Sequence, residues 1–236
     1  MKTALIIIAG LILLIVIILS FSKKKNKSDS TSVALVETKI PTITGQQVVD
    51  TLAALGYFKY TDADKLDTLK HEIATTYDEV KVLTTINEYK PPHEPYCRRF
   101  YFCDGETLFE LGGVVDYLKD IKPTFDKLNI PLEWKDDYFS KDGTEHTIII
   151  NGKKYTAYKG AADDLRAWGI ATKNFVEILN DQLAIHKSDE RVYPILFNND
   201  GRIIFLTKPQ YDFIFEHFDE RERPMEVNHW WKTFNK

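Results

Sequence analysis

Past residue 32 the chain has only two serines, Ser140 and Ser188. Neither stands in G-x-S-x-G, so a nucleophile-elbow serine hydrolase is excluded by inventory. Cysteine is equally scarce, with Cys97 and Cys103 alone in YCRRFYFC. Six residues of one straight strand span about 20 Å, far beyond disulfide reach. Two free thiols are therefore expected, which suits a reducing compartment. Zinc sites favour two close ligand pairs, and His93, Glu94, Cys97 and Cys103 make one loose cluster; no metal is predicted. Gly112-Gly113 lacks the spacing of either phosphate-binding fingerprint, and no cofactor is predicted.

Basic residues are also lacking where a nucleic-acid reader would need them. All five bases of residues 1–27 flank an apolar run, and that segment has no acid. Residues 28–236 keep 35 acids against 26 of the 31 bases, a formal charge of −9. Phosphate-backbone binding requires the opposite balance, so no nucleic-acid partner is expected.

What the sequence does have is a long hydrophobic run. Residues 3–22 carry no charge and are dominated by Ile and Leu. As a helix they would be about 30 Å long, the thickness of a bilayer's hydrocarbon core. The run meets Lys23, Lys24, Lys25 and Lys27 at once, with no small-residue cleavage site, which favours a retained anchor over a cleaved signal. Four lysines behind the helix outweigh Lys2 and the terminal amine ahead of it. The flanking charge places the following domain on the cytoplasmic side of the cell membrane, as a single-pass protein.

The chain thus reads as a transmembrane anchor (1–22), a basic then polar linker (23–43) and a soluble α+β domain (44–236). An alternative division splits that domain into halves 44–130 and 131–236. It is expected to be one mixed domain of β-hairpins and amphipathic helices. Thr44 can cap a helix over 46–55, and Leu66, Leu69, Ile73, Tyr77 and Val80 mark one face of a second helix begun near Thr61. Lys81 to Tyr89 reads as a strand. Arg98 to Cys103 reads as another, turning at Asp104-Gly105 and returning through 107–109. A helix through Val114 and Ile121 is expected to stop at Pro123, with a short one at 124–128. Asn151-Gly152 is the strongest hairpin signal, between strands 147–150 and 153–158. Two helices, near 161–168 and 172–185, then precede a hairpin of 192–197 with 202–206, and Thr207 and Pro209 open a further helix.

Candidate chemistry is thin. Cys97 has Arg98, Arg99 and His93 nearby, the kind of setting that activates a thiolate, so His93, Cys97 and Arg99 are the catalytic candidates. A cysteine in an aromatic strand is more often a small buried hydrophobe. Trp134, Tyr138, Trp230 and Trp231 are candidate binding anchors, because Trp and Tyr concentrate at interface hot spots; core packing is the alternative for the Trp pair. The balance favours a non-enzymatic, membrane-anchored interaction protein of scaffold, assembly or immunity type, held in the bilayer by residues 3–22 and binding a protein partner. The alternatives are a tethered hydrolase using carboxylates or Cys97 with His93, and an exported, envelope-facing domain.

Overall fold

A computed structural model describes residues 43–83, 95–195 and 201–234. The apolar run 3–22, its flanking lysines, most of the strand expected at 81–89, and His93 lie outside the described residues. Among the described residues no helix is long and apolar enough to cross a membrane. The described residues form an α+β fold with seven α-helices and two three-stranded antiparallel sheets.

The first pair of helices follows the apolar spacing. Helix α1 (Gly45–Ala54) is closed by a capping box, in which the Thr44 hydroxyl accepts the Gln47 N–H and the Gln47 side chain accepts the Thr44 N–H. Helix α2 (Leu66–Val80) buries Leu69, Ile73 and Tyr77. It starts later than Thr61, after two 3₁₀ turns at Tyr57–Tyr60 and Ala63–Lys65. The two helices meet at Gly45, where an added Cβ would lie 2.0 Å from the Ala74 carbonyl oxygen, so only glycine fits.

The first sheet orders its strands β1 (Phe100–Phe102), β6 (Arg202–Thr207), β5 (Glu190–Ile195), all antiparallel. Central β6 is buried on both faces, as its continuous apolar run Ile203-Ile204-Phe205-Leu206 requires. Ile203 and Phe205 face one hydrophobic core, and Ile204 and Leu206 face the other. Pro194 lies in β5, an edge strand, where the missing N–H costs no ladder bond on the open side.

One core packs α1, α2 and α6 (Lys208–His217) against this sheet. The other packs its opposite face against α3 (Gly105–Glu110), α4 (Val114–Lys127), α5 (Ala167–Ile185) and the second sheet. That sheet is a meander of β2 (Trp134–Phe139), β3 (Glu145–Ile150) and β4 (Lys153–Lys159). Asn151 and Gly152 turn between β3 and β4 with φ of 47° and 82°, the left-handed pair that a tight hairpin needs. Helix α7 (Val227–Phe234) ends the described chain.

Several local expectations are corrected. Residues 107–109 are not a returning strand: Asp104 accepts the N–H groups of Glu106 and Thr107 and caps α3 instead. Strand β1 therefore pairs with β6 rather than with a neighbour in sequence. Helix α4 runs through Pro123, losing one backbone bond while still burying Thr124 and Phe125. Residues 167–185 make one helix, not the second of two, and the preceding 161–166 are turns. Lys81 to Leu83 is not a strand, since Lys81 ends α2 in the left-handed region. Strand β2 was invisible in WKDDYF because a bulged edge strand, with Asp136 at φ 51°, shows no alternation.

Candidate functional site

The Cys97–Arg99 segment takes its shape from one residue. Arg98 sits at φ 51°, its N–H donating to the Pro95 carbonyl at 2.9 Å, so the strand begins only at Phe100. Cys97 consequently enters the core shared by α1, α2 and α6, fully buried. Arg99 is also fully buried. One of its terminal nitrogens donates to both Glu190 carboxylate oxygens, at 2.9 and 2.8 Å, and to the Phe205 carbonyl at 3.0 Å. Its Nε donates to the Tyr57 carbonyl at 2.5 Å, and the Tyr60 ring faces the guanidinium at 4.5 Å.

A cation taken out of water is tolerated only with its donors satisfied and its charge paired, and here both conditions are met. Arg99 therefore ties the 56–60 turn to β1, β5 and β6, leaving no open fork for a substrate. Burial, and next its neighbour Cys97, hold the Tyr57 hydroxyl well above its ordinary value. Cys103 lies in the opposite core, where burial and then Asp104 push its thiol far up, out of reach of thiolate chemistry. Of the three catalytic candidates, Cys97 and Arg99 are thus sealed, and His93 lies outside the described residues.

The aromatic candidates divide. Trp230 is 2% exposed and stacks on Phe234 with ring centres 5.4 Å apart, so it packs α7 rather than facing a partner. Trp231 is half-buried beside the same ring, and Trp134 is half-buried against the core. Tyr138 on β2 is 54% exposed.

Two more exposed apolar side chains escaped the sequence reading: Leu165, 99% exposed, and Leu111, 75% exposed. The Trp168 indole N–H donates to Glu110 at 3.0 Å, which brings the Leu165 turn beside the end of α3. Gly112 in turn packs against the Phe139 ring, where an added Cβ would come within 3.1 Å. Leu111 and Leu165 thereby lie near each other at the end of α3, with the Phe139 ring of β2 packed beside Gly112. Leu165 inside DDLRAW carries no periodic signal, and only its position in a turn leaves it bare.

Two polar constellations complete the survey. His146 is buried, with Nε2 2.7 Å from Asp137 and Nδ1 without a partner among the described residues. Nδ1 is closed off from solvent, and the Ser140 hydroxyl accepts the Glu145 N–H at 2.9 Å. Behind the Asn151 turn, Asn151 donates to Gln182 at 2.7 Å, Gln182 donates to the Tyr155 hydroxyl at 2.5 Å, and that hydroxyl bonds Asp181. Burial first, then the Asp181 bond, raises the Tyr155 hydroxyl to about 12. Asn151 and Gln182 of this network line an open cleft of about 430 Å³, and the network pins the hairpin to α5. Among the described residues no group of three or more His, Cys, Asp or Glu could hold a metal ion.

Compared with known protein families, curated proteins and solved structures, the chain matches none.

Proposed function

We propose that the chain is a single-pass protein of the cell membrane, anchored through residues 3–22, whose domain acts on the cytoplasmic side by binding a protein partner. The observation that carries this reading is the pair of bare leucines at the end of α3, Leu111 and Leu165, 75% and 99% exposed and brought together by the Trp168–Glu110 bond. Burying each leucine against a partner is worth about 1.5–3 kcal/mol. The burial of Cys97 and Arg99 adds to it, since neither can meet a substrate. The cytoplasmic side rests on the flanking lysines alone. With Cys97 and Cys103 buried in separate cores, the thiols are compatible with either compartment.

The test is photo-crosslinking in intact membranes, with a probe residue placed at 111 or 165 and, for comparison, at exposed Lys154. A discrete adduct specific to the first two positions, lost in Leu165→Glu with the fold intact by circular dichroism, is expected. Equal labelling at all three positions would sink the proposal.

A further inference from the structure

Three lysines that are far apart in the sequence meet in one cleft. Lys59 comes from the 3₁₀ turn Tyr57–Tyr60, Lys127 ends α4, and Lys187 follows α5. The cleft has a volume of about 380 Å³, and Asn129, His186 and Ser188 are also among its lining residues. Among its described lining residues Asp189 is the one acid. This reverses the balance of residues 28–236, which carry nine more acids than bases.

Part of the arrangement has a local cause. Helices α4 and α5 both end here, and each closes with a left-handed residue, Asn129 at φ 56° and Lys187 at φ 56°. In both, the final turn is sealed by the same backbone pattern. Asn129 and Ile130 donate to Asp126 and Phe125, and Lys187 and Ser188 donate to Ala184 and Leu183. A helix's last carbonyls carry partial negative charge, and one cation at each end compensates for it. That accounts for Lys127 and Lys187. Lys127 also has Asp62 within 3.7 Å.

Lys59 has no such cause. It enters from a separate element, and its ammonium lies beside the Tyr60 hydroxyl and over that ring at 5.0 Å. The same Tyr60 ring lies 4.5 Å from the buried Arg99 guanidinium. The side chain that brings the third charge thus shares a ring with the buried Arg99–Glu190 ion pair. Three ammonium groups here outnumber the two nearby carboxylates, Asp189 in the lining and Asp62 beside Lys127, and lysine is a point-charge donor suited to phosphate oxygens.

We propose that this cleft, lined by Lys59, Lys127 and Lys187, is a binding site for a phosphate group. Two sources share that chemistry: a soluble phosphate monoester and the phosphate of a lipid headgroup. The site is independent of the leucine pair assigned above to a protein partner, and either assignment can fail alone.

The experiment is calorimetric titration of the detergent-solubilised full chain. One arm adds inorganic phosphate, another adds short-chain phosphatidylglycerol below its micellar concentration, and chloride at matched ionic strength is the blank. Saturable binding in either arm is expected and names the source. The Lys59→Ala/Lys187→Ala double variant should weaken it about tenfold or more, and Lys154→Ala on β4 should leave it unchanged. Both lysines of the double variant are exposed, so its fold should survive, and circular dichroism verifies this. Lys127→Ala provides a second reading should the double variant misfold. No saturable heat above the chloride blank in either arm overturns the site, as does equal affinity in the lysine variants.

Discussion

Arg99 and Glu190 illustrate how a charge can be structural when every one of its bonds is made. Removing one partner leaves the other buried and uncompensated, at a cost of about 3–5 kcal/mol. Glu190→Gln and Arg99→Met should each lower the denaturant midpoint accordingly. The Arg99→Met/Glu190→Leu pair should cost much less than the sum of the two single changes. Additive losses in that cycle would mean that the ion pair is not the coupled unit described here. A second residue-level expectation concerns alkaline pH. Tyr155 and Tyr193 are both raised from 10.0 to about 12 in the folded state, chiefly by burial. The folded state therefore holds those protons more tightly than the unfolded state does. Stability is fully present below pH 10 and falls as pH rises from 10 toward 12. Denaturant melts across that window should show the decline, and Tyr155→Phe should flatten part of it. At this scale the sequence spoke through Cys97, whose aromatic neighbours implied a buried hydrophobe, while Arg99, named there only as a neighbour that could activate the thiol, gave no sign of its burial. A buried arginine looks like a surface one until its partner, some ninety residues away, is known.

Two glycines separate close approaches that must fail from those that can adjust. At Gly45 an added methyl meets the Ala74 backbone, which cannot move without separating α1 from α2. Gly45→Ala should therefore destabilise by about 2 kcal/mol or more despite alanine's better helix propensity. At Gly169, in α5, the methyl would meet the Phe234 ring at 2.2 Å. Phe234 is a side chain near the end of the described chain and can swing away. Gly169→Ala should keep global stability within about 1 kcal/mol, the propensity gain offsetting lost packing, while α7 becomes more sensitive to limited proteolysis. Unchanged cleavage at α7 would show that this helix does not depend on the Gly169 contact. Elements with a local signature were legible in the sequence: the Thr44 and Thr207 caps, the Asn151-Gly152 turn and the Leu69-Ile73-Tyr77 face all lie where the residues imply. Elements decided by competition were not. Asp104 could have opened a turn or capped a helix, and the buried side of α3 settled it. Pro123 could have ended α4, but the burial of Phe125 beyond it outweighed one missing bond.

For the whole molecule, two cores on opposite faces of one sheet predict cooperative unfolding, because β6 belongs to both. Fluorescence and circular dichroism should report a single coincident transition, and two separated transitions would show that the cores melt independently. The proposed site at Leu111 and Leu165 was illegible for a related reason. Exposure is a property of the finished surface, and nothing in DDLRAW distinguishes a leucine that will be buried from one that will not.

The placement of β6 also sets a clock on biosynthesis. Phe100 waits for Ile204, about a hundred residues downstream, before the first sheet can close. At ordinary translation speeds that interval is roughly 5–20 s. For that interval the apolar faces of α1, α2 and β1 have no completed sheet to cover them. The proposed bilayer segment, synthesised first, would by then be in the membrane and would hold the unfinished chain at its surface. A nascent chain arrested before residue 202 should accordingly bind holdase chaperones, and one released past residue 218 should not.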